Sequence, residues 1–392
     1  MSEIRDIPKH WQLKQLGKVC DKISLNGIKI KQKDYLQEGK FPVVDQGQEM
    51  IGGYFNDEKL VVPTEPPYIV FGDHTKVKKY VNFKFIAGAD GVKVLKPLSI
   101  YDPKFFFYLI HTVKIPDKGY ARHFQFLEKE QIPVPPLPEQ QAIVAKIEEL
   151  LSDLENGKQQ LQTAQQQLKV YRQSLLKWAF EGKLTNKNVK AGELPKGWKW
   201  VKVSEISNVV RGGSPRPAGD PKYYDGTIPF LKVRDITKDS GTYLTTFEYT
   251  IKEAGLHKTR QIKPNTLLLS NSGATLGVPK ICMIDATMND GIAAFLDLDA
   301  RSNLYLYYFW LSKTKELRNI NMGAAQPNLN TDIIKNYLVP YCSLDEQQLI
   351  VDELEAKLTV CDKIEETISQ SLQQAETLRQ SILKKAFEGK LV

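Results

Sequence analysis

Three short stretches gather side chains suited to gripping a polyanion. GDHTKVKKYVNFK, from Gly72 to Lys84, sets His74, Lys76, Lys78 and Lys79 close together. VVRGGSPRPAGDPKYYDG, from Val209 to Gly226, places Arg211, Arg216 and Lys222 among Gly and Pro, in a loop whose backbone can approach phosphate. LLLSNSGATLG, from Leu267 to Gly277, offers Asn271, Ser272 and Thr275 at an expected strand-to-turn edge. Cationic side chains neutralise phosphates, while amides and hydroxyls reach phosphate or base edges. A faint internal repeat pairs Arg122 with Gln326; arginine suits guanine and glutamine suits adenine in bidentate major-groove contacts. Gln125, Lys232, Arg234 and Asn328 complete the candidate DNA contacts. Each could equally be solvated surface.

Catalytic signatures are missing, and no catalytic residue is assigned. There is no GxxxxGK[ST]; Gly182-Lys183 is followed by Leu and lacks the upstream loop. FxGxG, [DNS]PP[YFW], GxSxG and HExxH are absent, as is a nuclease-like carboxylate cluster. Five histidines lie far apart and four cysteines (Cys20, Cys282, Cys342, Cys361) show no CxxC spacing. No metal site is expected, and the pattern suits buried thiols in a reducing cytoplasm. No apolar run approaches the ~20 residues a membrane helix needs, and the polar start MSEIRDIPKHW gives no expectation of a secretory signal. The chain therefore reads as a binding and assembly protein.

The elements that must position those residues follow from an internal repeat. Shifted by 207 residues, LPEQQAIVAKIEELL at Leu137 falls on LDEQQLIVDELEAKL at Leu344, and RQSLLKWAFEGKL at Arg172 falls on RQSILKKAFEGKL at Arg379. The register holds without a gap from Leu137 to Leu184. Apolar or small residues recur in alternating steps of four and three: Ile143, Ile147, Leu150, Leu154, Gly157, Leu161, Ala164, Leu168, Tyr171, Leu175, Trp178. The second copy runs Leu354, Leu358, Cys361, Ile364, Ile368, Leu372, Ala375, Leu378, Ile382. That is a heptad seam on a long helix. Gly182 and Gly389 stand where a helix C-cap belongs. Each rod would be roughly 60 Å long at ~1.5 Å per residue. The simplest cover for each seam is the other rod, in a coiled coil within the chain; an intermolecular pair is the alternative.

Fainter likeness joins the globular segments: IPKHW at Ile7 resembles LPKGW at Leu194, and each segment holds short β-branched, aromatic runs plus one aromatic-rich helix. Expected strands include KLVVP, YIVFG, KYVNFKFIA, GVKVLKP, IPFLKV, NTLLLSNSG and IAAFLDL. The expected fold class is α/β or α+β. The expected order is a globular unit over 1–136, a helix over 137–185, a linker and second unit over 186–343, and a second helix over 344–392. The globular segments carry net charges of +5 and +7, against 0 and −4 for the helices. Basic units on spacers that are not basic point to a polyanion, DNA first.

Two basic units alternating with two helices that each end in RQSxLxxAFEGKL resemble the specificity subunit (S subunit) of type I restriction-modification systems. PLPEQQAIVAKIEELL, RQSLLKWAFEGKLT, their second copies and the openings IPKHW and LPKGW carry the resemblance over essentially the whole chain. It implies two target recognition domains, each reading one half of an asymmetric, bipartite site on double-stranded DNA. It implies antiparallel pairing of the helices under a pseudo-twofold repeat. The helices and their ends would also dock two methyltransferase subunits. Positions for coiled-coil pairing or docking are Ile147, Leu154, Leu161, Leu168, Leu175, Trp178, Phe180, Leu354, Ile364, Ile368, Ile382 and Phe387. S-adenosylmethionine would sit in the methyltransferase partner, which flips its target adenine out of the duplex; this chain would bind no cofactor. Restriction/translocase subunits would complete the complex. A stand-alone DNA-binding regulator and a coiled-coil adaptor are the rival readings.

Overall fold

The computed structural model describes residues 7–392 except 90, 117, 120, 187, 191, 274 and 321–328. The candidate contacts Gln326 and Asn328 therefore lie outside the described residues. The chain divides into two units. Unit 1 is Met1–Gln162 with Ile368–Val392, and unit 2 is Thr163–Thr367. Each unit thus combines one globular segment with part of both long helices.

In unit 1, Gln12–Gln15 pairs antiparallel with Gln131–Val134. An antiparallel four-stranded sheet runs Cys20–Ile23, Val92–Pro97, Tyr68–Gly72, Lys78–Val81. A second, mixed sheet runs Lys29–Ile30, Ile86–Gly88, Phe41–Val44, Gly53–Phe55. Helix α1 (Pro103–Thr112) starts on Asp102, whose carboxylate accepts from the Lys104 and Phe105 amides at 2.9 Å, as an N-cap should. It buries Phe105, Phe106, Leu109 and Ile110. The short α2 (Phe124–Leu127) precedes α3 (Leu137–Phe180). The strand expected at KLVVP is instead a 3-10 turn, Glu58–Leu60, with a single bridge from Val61 to Ile86. Asp57 caps that turn through the Lys59 amide, and Pro63 withholds the donor a ladder would need.

Unit 2 repeats the plan. Lys199–Lys202 pairs with Leu338–Tyr341. A five-stranded sheet runs Asn208–Arg211, Ile292–Leu296, Thr266–Ser270, Pro279–Cys282, Tyr243–Leu244. A four-stranded sheet runs Tyr249–Ile251, Tyr224–Leu231, Ala286–Met288, Arg260–Ile262. Helices α4 (Val233–Thr237), α5 (Asn303–Ile320) and α6 (Thr331–Asn336) precede α7 (Leu344–Phe387). Most pairings in both units are antiparallel, so the fold is α+β.

The helix ends join their domains by the same device twice. Lys183 N donates to Trp178 O and Lys390 N to Lys385 O, both at 2.9 Å. Gly182 and Gly389 turn at φ 73° and 69°, which favours glycine. A Cβ at Gly182 would lie 2.2 Å from Cγ of Pro195, and one at Gly389 2.3 Å from Cγ of Pro8. AFEGKL is thus the turn that seats each helix on the proline of an LPKGW or IPKHW opening. Phe180 then packs on Tyr305 and Phe309, and Phe387 on Phe105.

The seam differs from the sequence reading at its second register. Through the middle of α7 one residue per heptad is buried: Leu354, Cys361, Ile368, Ala375, Ile382. Ile364, assigned to the seam, is 44% exposed, and Leu378 is exposed with it. The contact stripe leans to the other side of the helix, toward the half-buried Leu358 and Leu372. In α3 Ile147, Leu168 and Leu175 are buried and Leu154 and Leu161 half-buried, while Tyr171 and Trp178 face outward. All four cysteines are buried and unpaired, and burial pushes the Cys20 thiol up to about 12. Among the described residues no helix is long and apolar enough to cross a membrane.

Candidate nucleic-acid interface

Strands deliver loops to one end of the sheets in each unit. In unit 1 the turn after Tyr68–Gly72 meets three other loops. Thr75 Oγ1 donates to Gln46 O at 2.7 Å and the His74 amide to Gln46 Oε1 at 3.3 Å. His74 Nδ1 donates to Ala121 O at 3.2 Å. The Asp73 amide donates to Gly91 O at 2.6 Å, and the His123 amide to Asp73 O at 2.8 Å. Residues 45–52, 73–77, Gly91 and 121–123 are therefore one cluster.

Lys76 and Lys78 belong to that cluster. They line a cleft of about 360 Å³ with Gln48, Met50 and His111. Burial holds Lys78 down to about 8, so it is still mostly cationic at neutral pH. His111 is pushed down to about 4 by burial, with Lys78 and Arg379 adding to the effect; it is neutral and donates through Nδ1 to Phe107 O at 2.8 Å. Arg122 and Gln125 are exposed beside the cluster, Gln125 Nε2 bonding Arg122 O at 2.9 Å. Lys79 is not a surface contact. It is 3% exposed, lies 3.7 Å from Asp45 and donates to Glu49 O. Strand alternation turns it inward while Lys78 and Tyr80 face outward.

In unit 2 Asp290 organises the arginines. Its carbonyl accepts from Arg211 Nε and its carboxylate from Ser214 Oγ at 2.7 Å, with Arg216 at 3.8 Å. Next to it, Gly291 O accepts from the Asn271 amide and Leu231 O from the Asn289 amide, both at 2.9 Å. Residues 211–216, 231–233, 271–272 and 289–291 thus meet as their counterparts do in unit 1. Lys232 lies over the Tyr249 ring at 3.3 Å, and exposed Arg234 pairs with Glu248 at 3.6 Å. Ser272 is half-buried and Thr275 exposed. Asn271 is corrected like Lys79: it is fully buried, so it shapes the loop from within. Lys222 is exposed and lies 5.4 Å from the Tyr223 ring, which Lys258 approaches at 5.5 Å.

Asp73, His123, Asp290 and the Lys258–Tyr223 pair were missed in the sequence. Aligning VFGDHTKVKK with LLSNSGATLGVPK would have found the first of them. The docking list also divides. Ile147, Leu168, Leu175, Phe180, Leu354, Ile368, Ile382 and Phe387 are buried inside their own units, as helix packing requires, and Leu154 and Leu161 are half-buried. Trp178, 39% exposed, and Ile364 lie on the outer surface. A further cleft of about 860 Å³, lined by Phe180, Trp200, Phe309 and Arg318, lies at the end of α3 and away from the loop cluster.

The duplicated loop cluster coincides with a duplicated family match. A model of the type I restriction modification DNA specificity domain matches residues 8–163 and again 195–374. The chain belongs to this family. The EcoBI specificity subunit of a type I restriction enzyme from Escherichia coli is 31% identical over 287 residues, 68% of this chain and 59% of that protein. The chain therefore spans about three fifths of that relative's length. The EcoDI specificity subunit, also from Escherichia coli, is 22% identical over 423 residues, 98% of this chain and 89% of that one. The crystal structure of the HsdS subunit from Thermoanaerobacter tengcongensis shares the fold, with a TM-score of 0.63 and 21% identity over 98% of both chains.

Proposed function

We propose that the chain is the DNA sequence-specificity subunit of a type I restriction-modification complex. Its two specificity domains would each read one half of a bipartite, asymmetric site on double-stranded DNA. The observation that carries this is the double occurrence of one specificity domain, each copy presenting polar and basic loops at one sheet end. Lys76, Lys78, Arg122, Gln125, Arg211, Arg216, Lys232, Arg234, Ser272 and Thr275 are the proposed DNA-facing residues. The chain itself is a non-catalytic cytoplasmic subunit. Two methyltransferase subunits, holding S-adenosylmethionine, and restriction/translocase subunits would supply the chemistry.

We also infer that α3 and α7 pair as an antiparallel coiled coil. Within unit 2, Arg172 reaches Asp362 and Glu365 at 2.7 and 3.0 Å, and Asn186, past the end of α3, reaches Glu346 at 3.2 Å. Partners that descend as the first number rises support opposite directions. Exposed Tyr171 and Trp178, in edge contact at 6.3 Å, and Ile364 support docking of another protein on the outer faces. A stand-alone regulator has no use for such faces.

The test is base-resolved adenine methylation in cells carrying the cognate methyltransferase, with and without this chain. A split motif that depends on the chain is expected. Methylation unchanged by soluble, expressed chain would overturn the reading.

A further inference from the structure

Two buried lysines occupy equivalent places in the two units. Lys79 lies in Lys78–Val81 opposite Val70, and Lys280 lies in Pro279–Cys282 opposite Leu268. In both cases the partner strand is the one that ends in the clustered loop. Both lysines are almost wholly buried. A buried ammonium costs several kcal/mol unless paired and hydrogen-bonded, and its three donors must find acceptors.

Both draw their acceptors from the same kind of structure. Asp45 Oδ1 accepts from the Gly47 amide at 2.8 Å, and Asp239 Oδ1 from the Gly241 amide at 2.9 Å. Each is an Asp-x-Gly turn closed on itself. Lys79 lies 3.7 Å from that same Asp45 oxygen and donates to Glu49 O. Lys280 donates to that same Asp239 oxygen and to Gly241 O. The two turns sit in the segments that follow the strands Phe41–Val44 and Tyr224–Leu231.

Those segments otherwise differ. Residues 45–52 are irregular, whereas 232–242 include α4. The lysine and the Asp-x-Gly turn are common to both, and the exposed residues around them are not. Gln48, Glu49, Met50 and Ile51 are exposed in one, and Arg234, Lys238 and Ser240 in the other. One buried bolt thus holds two dissimilar tips at the sheet end where the proposed contacts gather.

We infer that Lys79 and Lys280 are positioning residues for target readout, each fixing the Asp-x-Gly segment of its own half and so the base preference of that half alone. The inference rests on the specificity-subunit reading. Neither lysine touches DNA; each acts through the segment it pins.

The test replaces Lys79→Met and Lys280→Met separately in the full chain, with the methyltransferase present, and maps adenine methylation by base. Methionine is close in volume to lysine, and exchanging a buried charge for a packed apolar group need not unfold a protein. Thermal unfolding of the purified complex checks that it has not. Discrimination at one or more positions of one half-site should fall about tenfold, one mismatch's worth, while the other half keeps its preference. The second variant should show the reverse. Unaltered preference in both halves, or equal loss in both, overturns the inference. A wild-type chain that directs no split motif overturns instead the functional reading beneath it. Where a methionine variant is recovered unfolded, Asp45→Asn and Asp239→Asn keep the turn's acceptor and remove its charge. The same half-restricted loss supports the bolt, and unchanged motifs refute it.

Discussion

Asp73 and Asn271 hold the same place in the two units and solve different problems there. Their backbones behave alike: each amide donates to the carbonyl of a glycine, Gly91 or Gly291, and each carbonyl accepts the amide of His123 or Leu329. Their side chains do not. The Asp73 carboxylate accepts the Phe124 amide at 2.8 Å and has Lys93 at 3.7 Å. Asn271 has Ala293 where Lys93 would stand, and neither side-chain polar atom has a partner among the described residues. The duplicated frame is a backbone frame. Side chains within it are free to gain or lose charge, which is what the proposed reading of two different half-sites calls for.

Exchanging the two residues should break that comparison most severely. Asn271→Asp places a carboxyl in a fully buried site without a cation, and about 3–5 kcal/mol of stability should be lost at pH 7–8. The new carboxyl's folded pKa lies above its unfolded ~3.9. The deficit should therefore be small near pH 4 and grow as pH rises. Adding Ala293→Lys should recover part of it. Asp73→Asn keeps the acceptor for Phe124 and should cost about 1 kcal/mol. Urea unfolding of the three variants measures the contrast. Equal losses for the two single exchanges would show the sites to be alike after all.

The paired glycine turns sharpen the comparison from the opposite side, because there the halves agree. Gly182→Ala and Gly389→Ala each force a side chain into positive φ and into a proline ring. Each should cost about 1–3 kcal/mol and melt the chain several degrees lower. Unequal shifts in thermal unfolding would mean that one helix end is seated less firmly than its copy.

The long helices were legible in the sequence because a gapless repeat and a seven-residue spacing leave few alternatives. Their ends were legible too, through Gly182 and Gly389. Which side of the seam faces inward was not. Steps of four and three admit Ile364 as readily as Leu358, and only packing chooses. Lys79 was read as a contact from its charge, although KVKKYV alternates so that Lys79 shares the inward face with Val81. Asn271 was read from its polarity, although it continues the fully buried run Thr266–Ser270. Interior anchors and surface contacts share a residue alphabet, and a polar residue reveals its role only by its neighbours.

Lys78 separates the halves by pH. Its counterpart across the equivalent strand pairing is Pro279, so this depressed lysine has no equivalent at the same strand end of unit 2. Its folded pKa of about 8 lies below the unfolded ~10.4. Its contribution to stability therefore rises between pH 8 and 10.5, as the buried charge is lost. DNA binding should move the other way. Affinity of the complex should fall from pH 7 to pH 9 by about three- to tenfold if Lys78 meets a phosphate. Lys78→Arg, charged throughout, should flatten that profile while Lys232→Arg leaves it alone. Identical profiles for all three proteins would remove Lys78 from the interface.

The smallest expected difference lies in the helices. Arg172 and Arg379 are the same residue in the repeat, but Arg172 faces Asp362 and Glu365, whereas the corresponding residues for Arg379 are Glu155 and Lys158. Lys158 already pairs with Glu155 at 3.4 Å, and Arg379 has no ion pair among the described residues. One acidic residue replaced by a lysine has dissolved the bridge. Arg172→Ala should cost about 0.5–1 kcal/mol, since its partners are largely exposed and water screens them. Arg379→Ala should cost close to nothing. In about 1 M salt the gap should close, because the Debye length falls to ~3 Å. Lys158→Glu should then create in unit 1 the pair that unit 2 has, and make Arg379→Ala as costly as Arg172→Ala. A gap that survives high salt would assign the Arg172 effect to packing of its alkyl chain rather than to charge.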